Sequence, residues 1–531
     1  MDIAINLIGG LGLFLYGMSL MGDGLQKSAG DKLKKIVELL TSNIIIGVFV
    51  GALVTAVIQS SSATTVMVVG FVNAGIMQLS QAIGVIMGAN IGTTVTAQLV
   101  SFNLDGLAPI TLGIGIVLYL FASNGKIKNI AEILLGFGIL FTGMEFMKDA
   151  VEPLAEFKGF TDALISLGQR PLLGLLLGIG ITAIVQSSSA SMGILIALAA
   201  QGIIPLSSAL PILYGQNIGT CVTSLISSIG ANKNAKRAAI MHLLFNIIGT
   251  AIFLIFLNKP IIAIVTKIDP TDVARQLANT HTLFNIISVI ILLPFAKFIV
   301  KLSMMIIPEG IEEKKEETYL DERILETPSI AFGNTIKETL KMANLSKECL
   351  NNSMNGFLNK SQKYIDKTIE NEKSIKNLQI NLLSYLLKLS KTSITTELVG
   401  DIDNLFNTIN DLKRIGDHCE NISELAEIAI QKDADISEDG VKAINEMYEK
   451  VKQNCEDIIN VIKDKDTTIA NKIIHTEEQV NKIEKSIRRN HIYRLNNDDC
   501  KIDAGILYLD LITNLERISD HCANVAKRVL N

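Results

Sequence analysis

The sequence predicts an all-α protein in two parts, a polytopic membrane domain followed by a soluble helical domain. Three observations predict it. Of 531 residues, 49% are hydrophobic and only 19% charged, against about 25% charged in ordinary soluble domains. The two ends differ: 32 of 39 glycines and eight of ten prolines precede residue 301, whereas the chain beyond residue 308 is rich in Lys, Glu, Asp and Asn with periodic apolar positions. The first part also carries polar motifs that recur at one offset. These features place a membrane domain at 1–307, a linker at 308–329 and a soluble domain at 330–531, and they exclude a disordered chain, a small disulfide scaffold and a single globular domain. A net charge of −5 without a basic stripe predicts no nucleic-acid partner.

Apolar runs long enough to span a bilayer, roughly 17–25 residues, lie near 4–21, 82–100, 107–123, 130–147, 207–228, 238–257 and 281–307. The opening Met1-Asp2-Ile3 lacks a basic n-region, so the first run is expected to be a retained membrane helix. Two regions differ. Residues 44–58 and 63–77 flank Gln59-Ser60-Ser61-Ser62, and residues 172–185 and 190–200 flank Gln186-Ser187-Ser188-Ser189. Each arm is short for a crossing, and a polar tip at membrane depth needs protein or water around it. Two re-entrant helical hairpins are therefore expected.

The repeat carries the most information. Thr55 to Ala63 (TAVIQSSSA) recurs as Thr182 to Ala190 (TAIVQSSSA), 127 residues on, and Gly88-Ala89-Asn90-Ile91-Gly92-Thr93 recurs as Gly215-Gln216-Asn217-Ile218-Gly219-Thr220 at the same offset. Gly17-Met18 and Asp23 match Gly143-Met144 and Asp149 at 126. The membrane domain is a duplication, with copies at about 1–126 and 127–257 and an extra helix at about 281–307. If each hairpin counts as no crossing, three crossings separate matching points, so the copies are inverted, as in many secondary transporters. With the N-terminus outside, nine basic residues (Lys27, Lys32, Lys34, Lys35, Lys126, Lys128, Lys233, Lys236, Arg237) fall in cytoplasmic loops and six outside (Lys148, Lys158, Arg170, Lys259, Lys267, Arg275). That bias follows the positive-inside rule, and seven crossings leave the C-terminal domain in the cytoplasm of a cell whose plasma membrane holds the protein.

Neutral Gln, Ser, Thr and Asn offer donors and acceptors without a buried charge. At a hairpin tip the second arm begins with unpaired N–H groups and the positive end of the helix dipole. Gln59, Ser60, Ser61, Ser62 and Thr64, with Gln186, Ser187, Ser188, Ser189 and Ser191, are thus expected to form an anion site. Free carbonyls ending the first arms, with Gln59, Gln186 and nearby hydroxyls, suit a small hard cation. Asn90, Thr93 and Thr94, and Asn217 and Thr220, lie where glycines are expected to interrupt helices and open further carbonyls. The competing reading is small-residue packing. A second match, His242-Leu243-Leu244-Phe245-Asn246 with His281-Thr282-Leu283-Phe284-Asn285, places Asn246 and Asn285 on one helix face with a histidine; they either line the pathway or bond neighbouring helices. Glu132 and Glu145 are read as snorkelling, or as a coupling carboxylate.

The paired Gln-Ser-Ser-Ser motifs, each followed by Asn-Ile-Gly-Thr, resemble the type II sodium–phosphate cotransporter family over about residues 1–307. The resemblance implies sodium-coupled transport of inorganic phosphate, with substrate and sodium held at Gln59 to Ser62 with Thr64 and Thr65, and at Gln186 to Ser189 with Ser191. The second copy carries Ser191 and Met192 where the first has Thr64 and Thr65, so the halves need not bind the same species.

Beyond 320 the spacing is helical, with few glycines. The run Glu312 to Glu317 reads as a solvated linker ending by Pro328. Asp411 to Ile422 (DLKRIGDHCENI) recurs as Asn514 to Val525 (NLERISDHCANV), 103 residues on, about the size of one three-helix bundle; two tandem bundles are expected. This pattern resembles the PhoU family over about 330–531, which implies a cytoplasmic regulator and metal binding through acidic residues four apart. Glu516 and Asp520 keep that spacing, while Lys413 stands four residues before Asp417 and puts a divalent or transition metal there in doubt; Arg–Asp ion pairs between helices are the alternative. The six cysteines, Cys221, Cys349, Cys419, Cys455, Cys500 and Cys522, show no CxxC spacing and read as reduced thiols.

The sequence therefore points to a sodium-coupled phosphate transporter with inorganic phosphate, sodium and the lipid bilayer as partners, and a homodimer or regulatory partner engaged through the PhoU-like domain. The alternatives are a phosphate exporter and a phosphate receptor without net transport. No Walker loop, zinc-ligand spacing or nucleophile elbow marks an enzyme. Removing 320–531 is expected to leave transport and alter its control.

Overall fold

The computed structural model describes residues 2–38, 43–102, 104, 106–122, 124–308, 318–392, 394, 396–496 and 502–530; the run Glu312 to Glu317 and Cys500 lie outside them. Among the described residues the fold is helical, without strands. The chain divides into two compact units, Met1–Ile330 and Ala331–Asn531.

The first unit contains α1 (Asp2–Glu38), α2 (Ile44–Ile58), α3 (Ser61–Asn73), α4 (Leu79–Val100), α5 (Ala108–Phe121), α6 (Gly125–Val151), α7 (Lys158–Gln169), α8 (Pro171–Val185), α9 (Ser188–Ala200), α10 (Leu206–Gly219), α11 (Cys221–Ser227), α12 (Lys233–Ile252), α13 (Asn258–Ile268), α14 (Val273–Leu292) and α15 (Ala296–Ile306). A π-helical turn, Phe253–Leu257, joins α12 to α13. Among the described residues five stretches are long and apolar enough to cross a membrane: Ile3–Ala29, Leu79–Val100, Gly125–Ala155, Lys233–Ile268 and Val273–Ile306. The sequence led us to expect seven. The other two runs form the 14-residue α5 and the α10–α11 pair, where α10 carries Pro211 inside it and ends at Gly219. An internal proline removes a backbone hydrogen bond, and hydropathy alone does not register that.

Glycine sets the helix spacing. A Cβ at Gly17 would collide with the backbone of Leu140, and one at Gly136 with Met21; Gly10 faces Gly143 and Met147. Residues 10, 17 and 21 therefore meet 143, 140 and 136, so α1 and α6, the matching first helices of the two copies, run antiparallel. In the same way a Cβ at Gly88 would strike the Val48 carbonyl and one at Gly215 the Leu175 carbonyl. Here numbers rise together (Gly84 on Ile44, Gly92 on Ala52), so α4 lies parallel to α2, as α10 does to α8. Because only five residues separate the end of α3 from α4, and α4 begins beside the start of α2, α3 must run back along α2. Each short apolar pair is thus a helical hairpin with the Gln-Ser-Ser-Ser segment at its tip. Packing of this kind needs small residues where backbones touch.

After α15, residues 320–327 fold onto the first unit around a 3-10 turn, Glu322–Glu326. Ile324 is fully buried and lies against Gly70 of α3. Asn73 Nδ2 donates to Asp321 Oδ2 at 2.7 Å, Arg323 Nε donates to the Ser227 carbonyl at 2.6 Å, and Thr327 Oγ1 reaches Met67 Sδ at 3.5 Å. Asn73 also binds Asn232 twice, at 2.8 Å each. One strap therefore ties the end of α3 to the α11–α12 turn, a link between the two copies.

The second unit is built from α16 (Pro328–Leu358), α17 (Gln362–Leu389), α18 (Thr396–Gln431), α19 (Glu438–Asp464), α20 (Thr467–Asn496) and α21 (Ile502–Leu530). Its core residues repeat with the motif: Ile409, Leu412, Ile415 and Cys419 on α18, and Ile512, Leu515, Ile518 and Cys522 on α21, are all buried. The polar positions between them explain why the motif is duplicated. His418 Nδ1 pairs with Asn514 Oδ1 at 2.9 Å, and His521 Nδ1 with Asp411 Oδ1 at 2.8 Å. Asp411 and Asn514 are equivalent, as are His418 and His521, so the two bundles meet through reciprocal contacts. Arg528 completes the cluster, 2.5 Å from Asp411.

Candidate substrate and cation site

At the first tip α2 ends with Gln59 in the left-handed region (φ 58°), its N–H donating to the Thr55 carbonyl, and Ser60 then caps α3 by accepting from Ala63 N at 3.1 Å. The second tip repeats this: Gln186 has φ 56° with its N–H on the Thr182 carbonyl, and Ser187 accepts from Ala190 N at 3.2 Å. A non-glycine residue in this region is strained, and both copies place an amide side chain there. Thr64 Oγ1 and Ser191 Oγ bond back to the Ser60 and Ser187 carbonyls. Each tip therefore presents a helix N-terminus flanked by hydroxyls.

The tips are not alike in their surroundings. Gln59 is 6% exposed; its Oε1 accepts from Thr96 Oγ1 at 2.9 Å and its Nε2 donates to the Ala56 carbonyl. Gln186 is exposed. Thr55 Oγ1 donates to Thr64 Oγ1 at 2.9 Å, whereas its equivalent Thr182 Oγ1 is buried without a partner. Among the described residues no hydrogen bond joins the tips directly. Instead Thr223 Oγ1 of the second copy donates to Ser62 Oγ at 3.3 Å. Thr96 and Thr223 are equivalent at the 127 offset, and both close on the first tip. Sequence reasoning missed this pair, although extending the Asn-Ile-Gly-Thr alignment by three residues would have found it. Gln216 Nε2 similarly holds the Ser191 carbonyl at 3.0 Å.

The Asn-Ile-Gly-Thr segments do not behave as expected. α4 runs unbroken through Asn90, Gly92, Thr93 and Thr94, because Gly92 admits Ala52 and Thr55 of α2 rather than breaking the helix. Asn90 and Asn217 both donate to carbonyls four residues back, Thr94 and Thr220 likewise bond within their helices, and Thr65 Oγ1 bonds the Ser62 carbonyl. Only the second copy changes helix here, at Thr220. Glu132 pairs with Lys27 at 2.8 Å, and Glu145 is exposed.

The Na+/Pi-cotransporter model matches residues 13–149 and 150–268 in succession, one match for each copy, and the PhoU domain model matches 339–426 and 444–529. The uncharacterized protein YqeW of Bacillus subtilis is 33% identical over 245 residues, covering 46% of this chain and 80% of that protein. The chain belongs to the Na+/Pi-cotransporter family. That is a transport family, and this member is a membrane protein with a C-terminal PhoU region. The "Putative inorganic phosphate export protein YjbB" of Salmonella typhimurium is 24% identical and aligned across 99% of this chain and 97% of its own length. The "Sodium-dependent phosphate transport protein 2A" of Rattus norvegicus is 39% identical over 104 residues, 19% of this chain and 16% of that protein.

In the PhoU region the acidic residues divide between the bundles. Asp417 lies with Glu372 and Glu420, whose ligand atoms fall within 4.8 Å of one another, but Lys413 is bonded to Asp417 and Arg414 lies 3.5 Å away. Glu516 and Asp520 lie with Glu484 and Glu477. Partial burial pushes the Glu516 carboxyl above its ordinary value of 4.5, Arg517 opposes, and Asp520, Glu484 and Glu477 add to the rise. A carboxyl raised in the folded state favours folding while protonated and loses that contribution as pH rises through its folded value. Glu516→Gln is therefore expected to raise the melting temperature by a few degrees at pH 7–8. The gain should fade towards pH 4.5, as followed by thermal unfolding at both pH values.

Proposed function

We propose that the protein is a secondary transporter that couples inorganic phosphate movement across the plasma membrane to sodium, with its PhoU region as a cytoplasmic regulator. The observation that carries the reading is the duplicated tip: two helix N-termini, each capped by serine and flanked by hydroxyls and an amide held in a strained conformation. Phosphate would engage the free first-turn N–H groups and hydroxyls of Gln59 to Ser62 with Thr64, and of Gln186 to Ser189 with Ser191. Sodium would take oxygens from Gln59, Thr65, Asn90, Thr93, Thr94, Gln186, Asn217 and Thr220. Family membership and a relative named for sodium-dependent phosphate transport support both species. The antiparallel course of α1 and α6 supports inversion of the copies, and re-entrant hairpins fit their 13- and 15-residue arms. Regulation would pass through the strap, because its end leads straight into α16.

Full-length similarity to a protein named for phosphate export favours export as the second reading of net direction. Phosphate uptake into proteoliposomes under an inward sodium gradient, with potassium and proton gradients as controls, tests the proposal. Accumulation driven by sodium alone is expected. Stoichiometric binding without accumulation would replace the transporter with a receptor.

A further inference from the structure

The duplicated His-x-x-x-Asn segments lie on α12 and α14, and each extends by one more polar position: His242, Asn246 and Thr250 on one helix, His281, Asn285 and Ser288 on the other. All six are at most 4% exposed. The helices meet antiparallel, since a Cβ at Gly249 would stand 3.0 Å from Ser288 Oγ, and the Phe253 and Phe284 rings meet edge to face with centroids 4.7 Å apart. At about 1.5 Å rise per residue, Asn246 and Thr250 lie within a turn of Gly249, and Asn285 within a turn of Ser288.

The bonding along this seam is one-sided. Asn246 Nδ2 donates to the His242 carbonyl at 3.0 Å, and Asn285 Nδ2 to the His281 carbonyl at 2.9 Å. Those bonds use one N–H of each amide and orient the side chain so that its Oδ1 is left as a free acceptor. Asn246 Oδ1, Asn285 Oδ1, Thr250 Oγ1 and Ser288 Oγ are all buried without a hydrogen-bond partner in the protein. Leaving four such atoms unsatisfied would cost about 1–3 kcal/mol each. His242 Nε2 and His281 Nδ1, a turn further along their helices, are also without a partner, but the four atoms around Gly249 are all neutral oxygens, and neither α12 nor α14 carries an acidic residue. The two free amide oxygens, which can only accept, would repel an anion. A divalent ion such as calcium draws carboxylates, so neutral oxygens suit a singly charged, partly dehydrated cation.

We propose that the α12–α14 seam is a sodium site distinct from the hairpin tips, ligated by Thr250 Oγ1 and Ser288 Oγ with an asparagine oxygen from either side. Gly249 is part of the site, because any side chain there would press on Ser288. The proposal rests on the sodium-coupled reading above and deepens it. Sodium held between α12 and α14 would couple to the tips through the bonds Asn246 and His242 make to α11, at Cys221 (3.4 Å) and Ser224 (3.2 Å), since α11 carries Thr223.

The test is equilibrium binding of 22Na+ to the purified full-length protein, with the sodium dependence of phosphate transport measured in parallel. Thr250→Val with Ser288→Ala removes two oxygens at nearly constant volume; Thr250→Ser keeps both hydroxyls and serves as the conservative control. The double variant is expected to lose one equivalent of sodium or to need at least tenfold more for half-saturation, while Thr250→Ser stays within about threefold of wild type. If the double variant does not fold, Ser288→Ala alone carries the test, with a rise of threefold or more expected. Unchanged sodium stoichiometry and half-saturation in folded variants of a sodium-binding wild type would overturn the seam site and leave the sodium-coupled reading standing. A wild type that binds no 22Na+ would overturn that reading, and the seam site with it.

Discussion

Gln59→Ala and Gln186→Ala are each expected to cut phosphate transport to below about a tenth of wild type, with different effects on stability. Gln59 accepts from Thr96 at 2.9 Å, so its loss should also cost about 0.5–1.5 kcal/mol. Gln186 is exposed and, among the described residues, its side chain has no hydrogen-bond partner, so Gln186→Ala should leave the melting temperature within a degree or two. Both residues sit near φ 57°, where glycine is more comfortable than any side chain. Gln186→Gly should therefore be as stable as wild type or slightly more so, and still inactive. A strained position filled by the same amide in both copies is explained if the amide has a task beyond ending the helix. Uptake assays on the variants, with thermal unfolding of the same preparations, decide the matter. Near-normal uptake by either alanine variant would remove the tips from the site.

The duplication was readable because short polar motifs recur intact, one offset of 127 locating both tips and another of 103 the PhoU contact pairs. The left-handed glutamines and the serine caps follow from it locally, since a chain that reverses between two short helices needs such a joint. What the sequence did not disclose depends on tertiary contact. A glycine in a membrane helix either breaks it or lets a neighbour approach; Gly92 does the second, and only α2 lying against it decides that. The unlike tips are a further case. Gln59 and Gln186 have near-identical neighbours in sequence, yet one is packed against Thr96 and the other is open. The seam is intermediate: the matching His and Asn were visible, but Thr250 and Ser288 gain their meaning from the antiparallel meeting at Gly249.

The strap changes where the protein should be cut. The sequence suggests removing everything from 320, but a chain ending at Tyr319 would strip Ile324, Asp321 and Thr327 from the face formed by Met67, Gly70 and Asn73. Burying an isoleucine contributes about 1.5–3 kcal/mol, and the hydrogen bonds of Asp321 and Arg323 about 1 kcal/mol each. A chain ending at Ile330 keeps all of these. It is expected to fold, insert and transport phosphate, with its response to control altered. The shorter chain should melt several degrees lower and transport poorly, because only the direct Asn73–Asn232 bonds then join the end of α3 to the α11–α12 turn, while α3 still carries the first tip. Ile324→Ala in the full-length protein should reproduce part of the effect, at about 2–5 kcal/mol, without touching the PhoU region. Thermal unfolding of the three proteins separates stability from regulation. Equal melting temperatures for the two truncations would mean that the strap rests on the membrane unit without holding it together. Loss of transport on cutting at Ile330 would instead make the PhoU region part of the transport machinery.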